Sequence, residues 1–105
     1  MKIKSKKYIE RENAKKWREE VLKRDNFKCC VCGKLGKKNN NHVHHIIPRK
    51  FKEYKFEVNN GITLCYYHHK VGKESPHMNA IWFAEWLKKN KKELYEIALN
   101  RLNIF

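Results

Sequence analysis

The residues of this chain that are most able to do chemistry are histidines and cysteines that occur in adjacent or nearly adjacent pairs. In chain order they are Cys29 and Cys32, His44 and His45, Cys65, and His68 and His69. A neutral imidazole can bind a metal ion and can accept a proton near neutral pH. Two adjacent histidines can therefore divide the work, one holding a metal ion while the other activates water.

A C-x-x-C at Cys29 and Cys32 and a C-x-x-H at Cys65 and His68 predict a structural zinc site. Each pair spans one tight turn, and four thiolate or imidazole ligands in two such pairs suit tetrahedral zinc. A chain of 105 residues buries only a small core, so the binding energy of a metal ion is expected to support folding. Free buried thiols are the alternative, and Cys30 is expected to remain outside the site as a small side chain.

The charge of the chain points to a polyanionic partner. It carries 25 Lys and Arg against 11 Asp and Glu, a formal net charge of +14, which favours fast, salt-sensitive association with nucleic acid. Between residues 49 and 58, basic residues alternate with aromatic ones, a pattern that suits a backbone-binding loop, although the rings could equally cap a small core. The residues expected to contact nucleic acid are Arg49, Lys50, Lys52, Lys55 and Lys73.

The sequence favours an intracellular, cytoplasmic protein. The charged residues 1–12 lack the apolar core of a secretory signal, and no apolar run approaches the length of a membrane span. Binding to an anionic membrane would need a basic amphipathic helix or a lipidation signal, so no membrane partner is expected. In a reducing compartment, paired cysteines more often bind metal than form disulfides.

Hydrophobic periodicity predicts short helices and strands around these pairs, within one domain over residues 1–105. The predicted elements are a basic arm (1–7), a helix (8–24), a knuckle with two strands and a short helix (27–73, with strands at 43–47 and 62–64 and the helix at 65–71), and a C-terminal helical extension (77–105, with helices at 80–89 and 91–102). Asn79 could cap the first helix of the extension. The residues of that helix expected to face inward are Ile81, Phe83, Ala84 and Leu87.

Three separated blocks of the sequence together form a larger pattern. They are W-R-E-E-V-L-K-R-D-N-F-K-C-x-x-C-G from Trp17, H-H-I-x-P from His44 and N-G-I-T-L-C-x-x-x-H from Asn60. Together they resemble the HNH endonuclease family, in its phage or McrA-like type with a zinc knuckle, over residues 17–73. The resemblance implies an α+β fold: a small ββα-metal unit with a zinc knuckle, flanked by an N-terminal helix and C-terminal helices.

The resemblance also implies the roles of individual residues. His44 and His69 correspond to ligands of one divalent catalytic ion, and His45 corresponds to the general base. Asn60 corresponds to the middle asparagine, which could hold His45 in the required tautomer through its carbonyl oxygen or ligate the metal itself. In the knuckle, His68 stands where family members have a fourth cysteine. Two protein ligands plus waters suit a hard ion such as Mg²⁺ or Mn²⁺, with Ni²⁺ and Zn²⁺ as the other options.

Two further histidines are expected at the surface. His42 is interpreted as an exposed residue before the first strand. His77 is interpreted as a surface or capping histidine, although it lies close enough in sequence to be a third metal ligand.

The sequence therefore predicts a metal-dependent DNA endonuclease that leaves 5′-phosphate and 3′-hydroxyl ends and binds DNA mainly through the phosphate backbone. Strand alternation separates His44 from His45, as one ligand and one base require. A zinc-knuckle module that binds nucleic acid without cutting it is the alternative, and a small zinc-stabilised interaction module is a third interpretation. The helices after Asn79 could extend the DNA footprint, form a homodimer or dock on a larger phage or mobile-element complex.

Overall fold

A two-stranded sheet lies between an N-terminal helix and two C-terminal helices in the computed structural model, which describes residues 3–36 and 41–103. The elements are α1 (Lys6–Arg24), β1 (His42–His45), β2 (Gly61–Leu64), α2 (Ala80–Asn90) and α3 (Lys92–Leu102), with short 3₁₀ turns at Lys52–Tyr54 and Val58–Asn60 and a π-helical turn at Tyr67–Val71. This architecture confirms the predicted α+β class. Residues 1–2 of the predicted basic arm and residues 104–105 of the predicted extension lie outside the described residues.

Helix α1 packs a narrow apolar stripe against the sheet. It begins at Lys6, two residues before the predicted start, because the Ser5 Oγ accepts a hydrogen bond from the Tyr8 N–H (3.1 Å) and caps the helix. Trp17 and Val21 are buried on its inner face. A Cβ atom on Gly61 would lie 2.6 Å from Val21 Cγ2 and 2.7 Å from Trp17 Cζ2, so a glycine is needed for α1 to approach β2 this closely.

The two strands are antiparallel, with His45 opposite Gly61. The sequence predicts that the first strand continues to Ile47, but β1 ends at His45. β1 ends there because Asn60 accepts the hydrogen bonds of the next two backbone N–H groups. Its backbone carbonyl accepts a hydrogen bond from the Ile46 N–H (3.0 Å), and its side-chain Oδ1 accepts one from the Ile47 N–H (2.7 Å).

Arg24 and Asp25 fasten the end of α1 to β2. The guanidinium of Arg24 donates two hydrogen bonds of 2.9 Å to the Asp25 carboxylate and one of 2.7 Å to the Gly61 carbonyl. Asp25 Oδ2 also accepts a hydrogen bond from the Thr63 N–H (3.0 Å). The chain turns directly afterwards, where Asn26 has a φ of 55°. This ion pair therefore holds the knuckle next to the second strand.

Helices α2 and α3 form the predicted C-terminal pair. Asn79 caps α2 as expected, since its Oδ1 accepts a hydrogen bond from the Trp82 N–H (2.9 Å). Phe83 and Leu87, one turn apart, are buried as predicted. Ile81 is 81% exposed and Ala84 is also exposed, so their inward placement is wrong. Residues two positions apart on a helix do not share a face, so the helix that buries Phe83 turns Ile81 toward solvent.

The main apolar cluster lies between the knuckle, β2 and α2. Its buried members are Cys29, Ile62, Leu64, Cys65, Phe83 and Leu87. Two of these six residues are predicted zinc ligands, so the predicted zinc site is part of the core. Within residues 3–36 and 41–103, no helix is long and apolar enough to cross a membrane.

Candidate metal centres and active site

Three cysteines form the first candidate metal site, which we call the thiol group: Cys29, Cys32 and Cys65. Their Sγ atoms all lie within 4.8 Å of one another, and the Sγ atoms of Cys32 and Cys65 are 3.8 Å apart. Two thiolates on a tetrahedral zinc with Zn–S bonds of about 2.3 Å would be separated by about 3.8 Å. Gly33, with a φ of 75°, donates its N–H to the Cys29 carbonyl (2.8 Å) and closes the turn between the first two cysteines. The donor set and its spacing therefore fit zinc.

His68, the predicted fourth ligand, is not among the side chains that the structure brings together in the thiol group. Its Nδ1 donates a hydrogen bond to the Glu74 carbonyl (2.8 Å), because a carbonyl can only accept. The other ring nitrogen, Nε2, then carries a lone pair. The backbone N–H of His68 lies 3.5 Å from the Cys65 Sγ. Cys30 stays outside the group, as expected, and burial, with the nearby Asp25 carboxylate, raises the pKa of its thiol to about 11.

Three histidines form the second candidate site, which we call the imidazole group: His44, His69 and His77. His44 Nδ1 lies 3.2 Å and His77 Nε2 lies 3.1 Å from His69 Nε2. Two imidazoles on a tetrahedral metal with bonds of about 2.0 Å would place their nitrogens about 3.3 Å apart. His77 is exposed, as expected, but its ring joins the other two, so the geometry favours the third-ligand option over the capping one.

Each ring of the imidazole group comes from a different element. His44 extends from β1, His69 from the π-helical turn and His77 from the loop before α2. Turns of π-helix occur frequently at functional sites. Burial, reinforced by the neighbouring histidines, lowers the pKa of His44 to about 3 and that of His69 to about 4. At neutral pH both rings are uncharged and can offer lone pairs to a metal ion.

His45, the predicted general base, follows His44 in β1 and has a defined tautomer. Its Nε2 donates a hydrogen bond to the Lys55 carbonyl (2.9 Å), which leaves Nδ1 with a lone pair. Its ring stacks on Trp17, with centroids 4.1 Å apart and planes 15° from parallel. Burial lowers the pKa of His45, although the Lys55 carbonyl partly opposes the shift. His45 is therefore a neutral base whose ring is held by the Lys55 carbonyl and by the ring of Trp17.

Asn60 does not accept a hydrogen bond from His45, which is one of the two roles that the resemblance implies for it. Its Oδ1 accepts the Ile47 N–H, and its Nδ2 donates to the carbonyls of Ile47 and Tyr54 (both 3.1 Å). His45 donates to the Lys55 carbonyl instead, so this role is wrong, while the alternative role of Asn60 as a metal ligand stays a prediction. Asn60 holds the loop in which Lys55 lies, so it supports His45 indirectly. Its side chain is buried, with 4% of the residue exposed.

Residues 29–73 match the HNH endonuclease family model. The match confirms the resemblance inferred from the sequence blocks and indicates a nuclease fold with metal binding, in a family that implies a nucleic acid substrate. No curated protein and no solved structure matches the chain. The HNH segment, residues 29–73, includes the thiol group, His44, His45 and His69, whereas Trp17 and His77 lie outside it.

Two clefts meet at the first strand of the HNH segment. One, of about 520 Å³, is lined by His44, His45, His69 and His77 together with basic side chains that include Arg49. The other, of about 610 Å³, lies between α1 and the HNH segment, and His45 and Arg49 line both clefts. The two clefts therefore share the proposed base and one cationic side chain as lining residues. The larger of the two, which we call the α1 cleft, is also lined by the basic residues Lys7, Arg11, Arg18, Lys50 and Lys55.

The predicted nucleic-acid contacts are distributed unevenly over this surface. Arg49 and Lys50 are exposed and line the α1 cleft. Lys52 and Lys73 are also exposed, on the 3₁₀ turn and after the π-helical turn. Lys55 differs, because its ammonium pairs with Glu10 and its side chain is only 16% exposed. Its contribution to the site is its backbone carbonyl.

His42 contacts the imidazole group although it is predicted from the sequence to lie at the surface. It is the first residue of β1 and is half-buried, rather than exposed before the strand. Its Nδ1 lies 2.8 Å from the Nδ1 of His69. The signal was available, because strand alternation places His42 and His44 on one face. Extending the predicted strand back by one residue would have found it.

Proposed function

We propose that this protein is a metal-dependent DNA endonuclease that hydrolyses phosphodiester bonds to 5′-phosphate and 3′-hydroxyl ends. One observation carries the proposal: a neutral histidine base, His45, lines the same cleft as three converging imidazoles. A structural zinc module has no need for either feature. The match to the HNH family over residues 29–73 supports the reaction class.

The imidazole group would hold one divalent ion through His44 Nδ1, His69 Nε2 and His77 Nε2. The ion, when bound, supplies a positive charge that polarises the scissile phosphate and stabilises the leaving 3′ oxygen. Three imidazoles suit Zn²⁺ or Ni²⁺ better than Mg²⁺, which prefers oxygen ligands. The third ring therefore moves our expected metal away from the hard ions that two histidines alone would favour.

His45 would act as the general base through Nδ1. The Lys55 carbonyl keeps the proton of the neutral ring on Nε2, so Nδ1 is free to take a proton from the attacking water. The stacked face of Trp17 then favours the imidazolium that forms, because a cation is attracted to an aromatic face. The base needs no rearrangement to accept the proton.

The thiol group would hold a structural zinc, with His68 Nε2 as the fourth ligand. The hydrogen bond from His68 Nδ1 to the Glu74 carbonyl supports this assignment. Histidines that bind a metal through one ring nitrogen usually donate the other N–H to such a carbonyl. The zinc would join the knuckle to the π-helical turn that carries His69.

DNA would lie across the junction of the two clefts. Arg49 and Lys50 on one wall and Lys7 and Arg11 on α1 would contact phosphates on either side of His45. Such contacts give affinity without sequence information, so they favour binding along the backbone.

The test is cleavage of supercoiled plasmid with Zn²⁺, Ni²⁺, Mn²⁺ or Mg²⁺ added in turn. The unmodified protein is compared with His45→Ala and His69→Ala, with Cys30→Ala as the matched control. Zinc content and thermal unfolding are measured for each variant. We expect metal-dependent nicking that both histidine substitutions reduce at least 100-fold and that the control retains. Ligation of the nicks without prior phosphorylation would establish 5′-phosphate and 3′-hydroxyl ends.

The other outcomes are equally informative. Salt-sensitive DNA binding with no cleavage in any metal would favour the non-catalytic zinc-knuckle module. Cleavage that persists in both histidine variants would indicate a contaminating nuclease and would overturn the assignment of the site.

A further inference from the structure

His42 makes a contact for which the proposed reaction has no use. Its Nδ1 lies 2.8 Å from His69 Nδ1, which is a hydrogen-bond distance between two ring nitrogens. The ring planes are close to perpendicular, at 82°, and the ring of His42 also meets the edge of Tyr66. His69 faces the imidazole group through its other nitrogen, Nε2. The two nitrogens of His69 therefore have separate partners.

The position of the proton in this contact follows from the chemistry of imidazole. A ring that offers a lone pair at Nε2 carries its proton at Nδ1. His69, when it ligates through Nε2, must therefore donate from Nδ1. His42 must then accept at Nδ1 and carry its own proton at Nε2. One hydrogen bond fixes the tautomers of both rings.

We propose that His42 is a positioning residue that orients His69 and holds it in the tautomer that binds metal. The inference rests on the proposed metal site, since it concerns the ligand rather than the reaction. Metal-binding histidines commonly donate their second N–H to a carboxylate or a carbonyl. Here another imidazole takes that place.

The elements that carry the two rings explain why such an anchor is useful. His69 lies on a five-residue π-helical turn, whereas His42 lies in β1, which pairs with β2. His44 belongs to β1 as well, two residues away on the same face. The strand therefore supplies one ligand directly through His44 and orients a second through His42. The spacing between these ligands is set by the sheet.

The test compares cobalt affinity across substitutions at His42, measured by calorimetry on protein that retains one zinc per chain. His42→Asn places an acceptor oxygen near the position of Nδ1, whereas His42→Gln extends its amide oxygen farther, toward the position of Nε2, and His42→Phe keeps only the ring. We expect His42→Phe and His42→Gln to weaken cobalt binding about 10- to 100-fold, and His42→Asn to stay within about threefold of the unmodified protein. Tyr66→Leu is the matched control, because it removes the other ring contact of His42 and keeps the hydrogen bond.

Each result decides the inference. Equal cobalt affinity in His42→Phe and the unmodified protein would overturn it, as would His42→Asn binding as weakly as His42→Gln. If His42→Phe fails to fold, the ranking of the two amide variants still decides. His69→Ala separates the two proposals: if cobalt binding does not depend on His69, the metal site and the inference both fail. If it does depend on His69 but not on His42, only the inference fails.

Discussion

The thiol group and the imidazole group lie in the same small domain but differ in their surroundings. Cys29 and Cys65 are 1% and 5% exposed and pack among the residues of the apolar core, whereas Cys32 is exposed. The imidazole group lines an open cleft of about 520 Å³, and His77 is exposed. A closed site is typical of structural zinc, whereas a catalytic metal keeps a position open for water or substrate. The difference is consistent with the two proposed roles, a structural one for the thiol group and a catalytic one for the imidazole group.

The largest effect should follow from breaking the thiol group. We expect Cys65→Ala to lose its zinc and its cooperative unfolding transition, because the binding energy of a structural zinc, about 10 kcal/mol or more, is comparable with the stability of a whole domain. Bound zinc and the thermal unfolding curve are the measurements. Cys30→Ala is the matched control, since Cys30 adjoins the group without joining it and should keep both. A folded Cys65→Ala protein would contradict the structural role.

A smaller loss of stability is expected from a substitution at Asp25, which binds β2 next to the knuckle. Asp25→Asn should lower the free energy of unfolding at pH 7 by about 1–3 kcal/mol, because it removes the charge that Arg24 and the Thr63 N–H bind. Burial alone would raise the pKa of Asp25, but the Arg24 guanidinium and the hydrogen bonds from Thr63 together outweigh it, and the folded pKa is below the ordinary value.

The sign of this shift predicts the pH dependence. A lowered folded pKa gives stability that is fully present above the unfolded pKa, about 3.9, and is lost as the pH falls toward the folded value. The difference between Asp25→Asn and the unmodified protein should therefore shrink in acid. Urea unfolding at pH 7 and at lower pH values measures it. Glu10→Gln, which removes an exposed ion pair with Lys55, should change stability little at either pH.

On the imidazole side, Trp17→Phe should reduce cleavage about three- to tenfold. The substitution leaves a smaller face against His45 and removes the hydrogen bond from the Trp17 indole to the Glu57 carbonyl (2.7 Å). Cobalt affinity should stay unchanged, because Trp17 does not contact the imidazole group. Trp86→Phe, at a half-buried tryptophan on α2, is the control. A parallel loss of cleavage and cobalt binding would mean that Trp17 acts only through the fold.

The sequence predicted the features of the fold and of the candidate sites that depend on local spacing. These features are the C-x-x-C turn, the adjacent pair His44 and His45, and the Asn79 cap, and each follows from rules that act over a few residues. The family resemblance added His69, which no local rule connects with His44. The α+β class followed from the same two sources.

The parts that the sequence did not predict depend on how distant segments meet. His77 joins His69 only because the chain after the π-helical turn folds back, with Ser75 Oγ bound to the Gly72 carbonyl (2.6 Å). The Lys55 carbonyl replaces Asn60 as the partner of His45. Every residue has a backbone carbonyl, so the residue type does not indicate which one accepts this hydrogen bond. The family resemblance therefore offered Asn60, as one of two options, where a backbone carbonyl is the partner of the base.

The smallest expected effect concerns the cleft between α1 and the HNH segment. Lys50→Gln should weaken DNA binding modestly and reduce the slope of log affinity against log salt concentration by about 0.9, the value for one lost phosphate contact. Fluorescence anisotropy at several salt concentrations, in a His45→Ala background that prevents cleavage, gives the slope. Lys89→Gln on α2 is the matched control, because it removes the same charge outside this cleft. Equal slopes for the two variants would mean that only net charge attracts DNA. A selective change at Lys50 would place the phosphate backbone in the cleft that Lys50 and His45 both line.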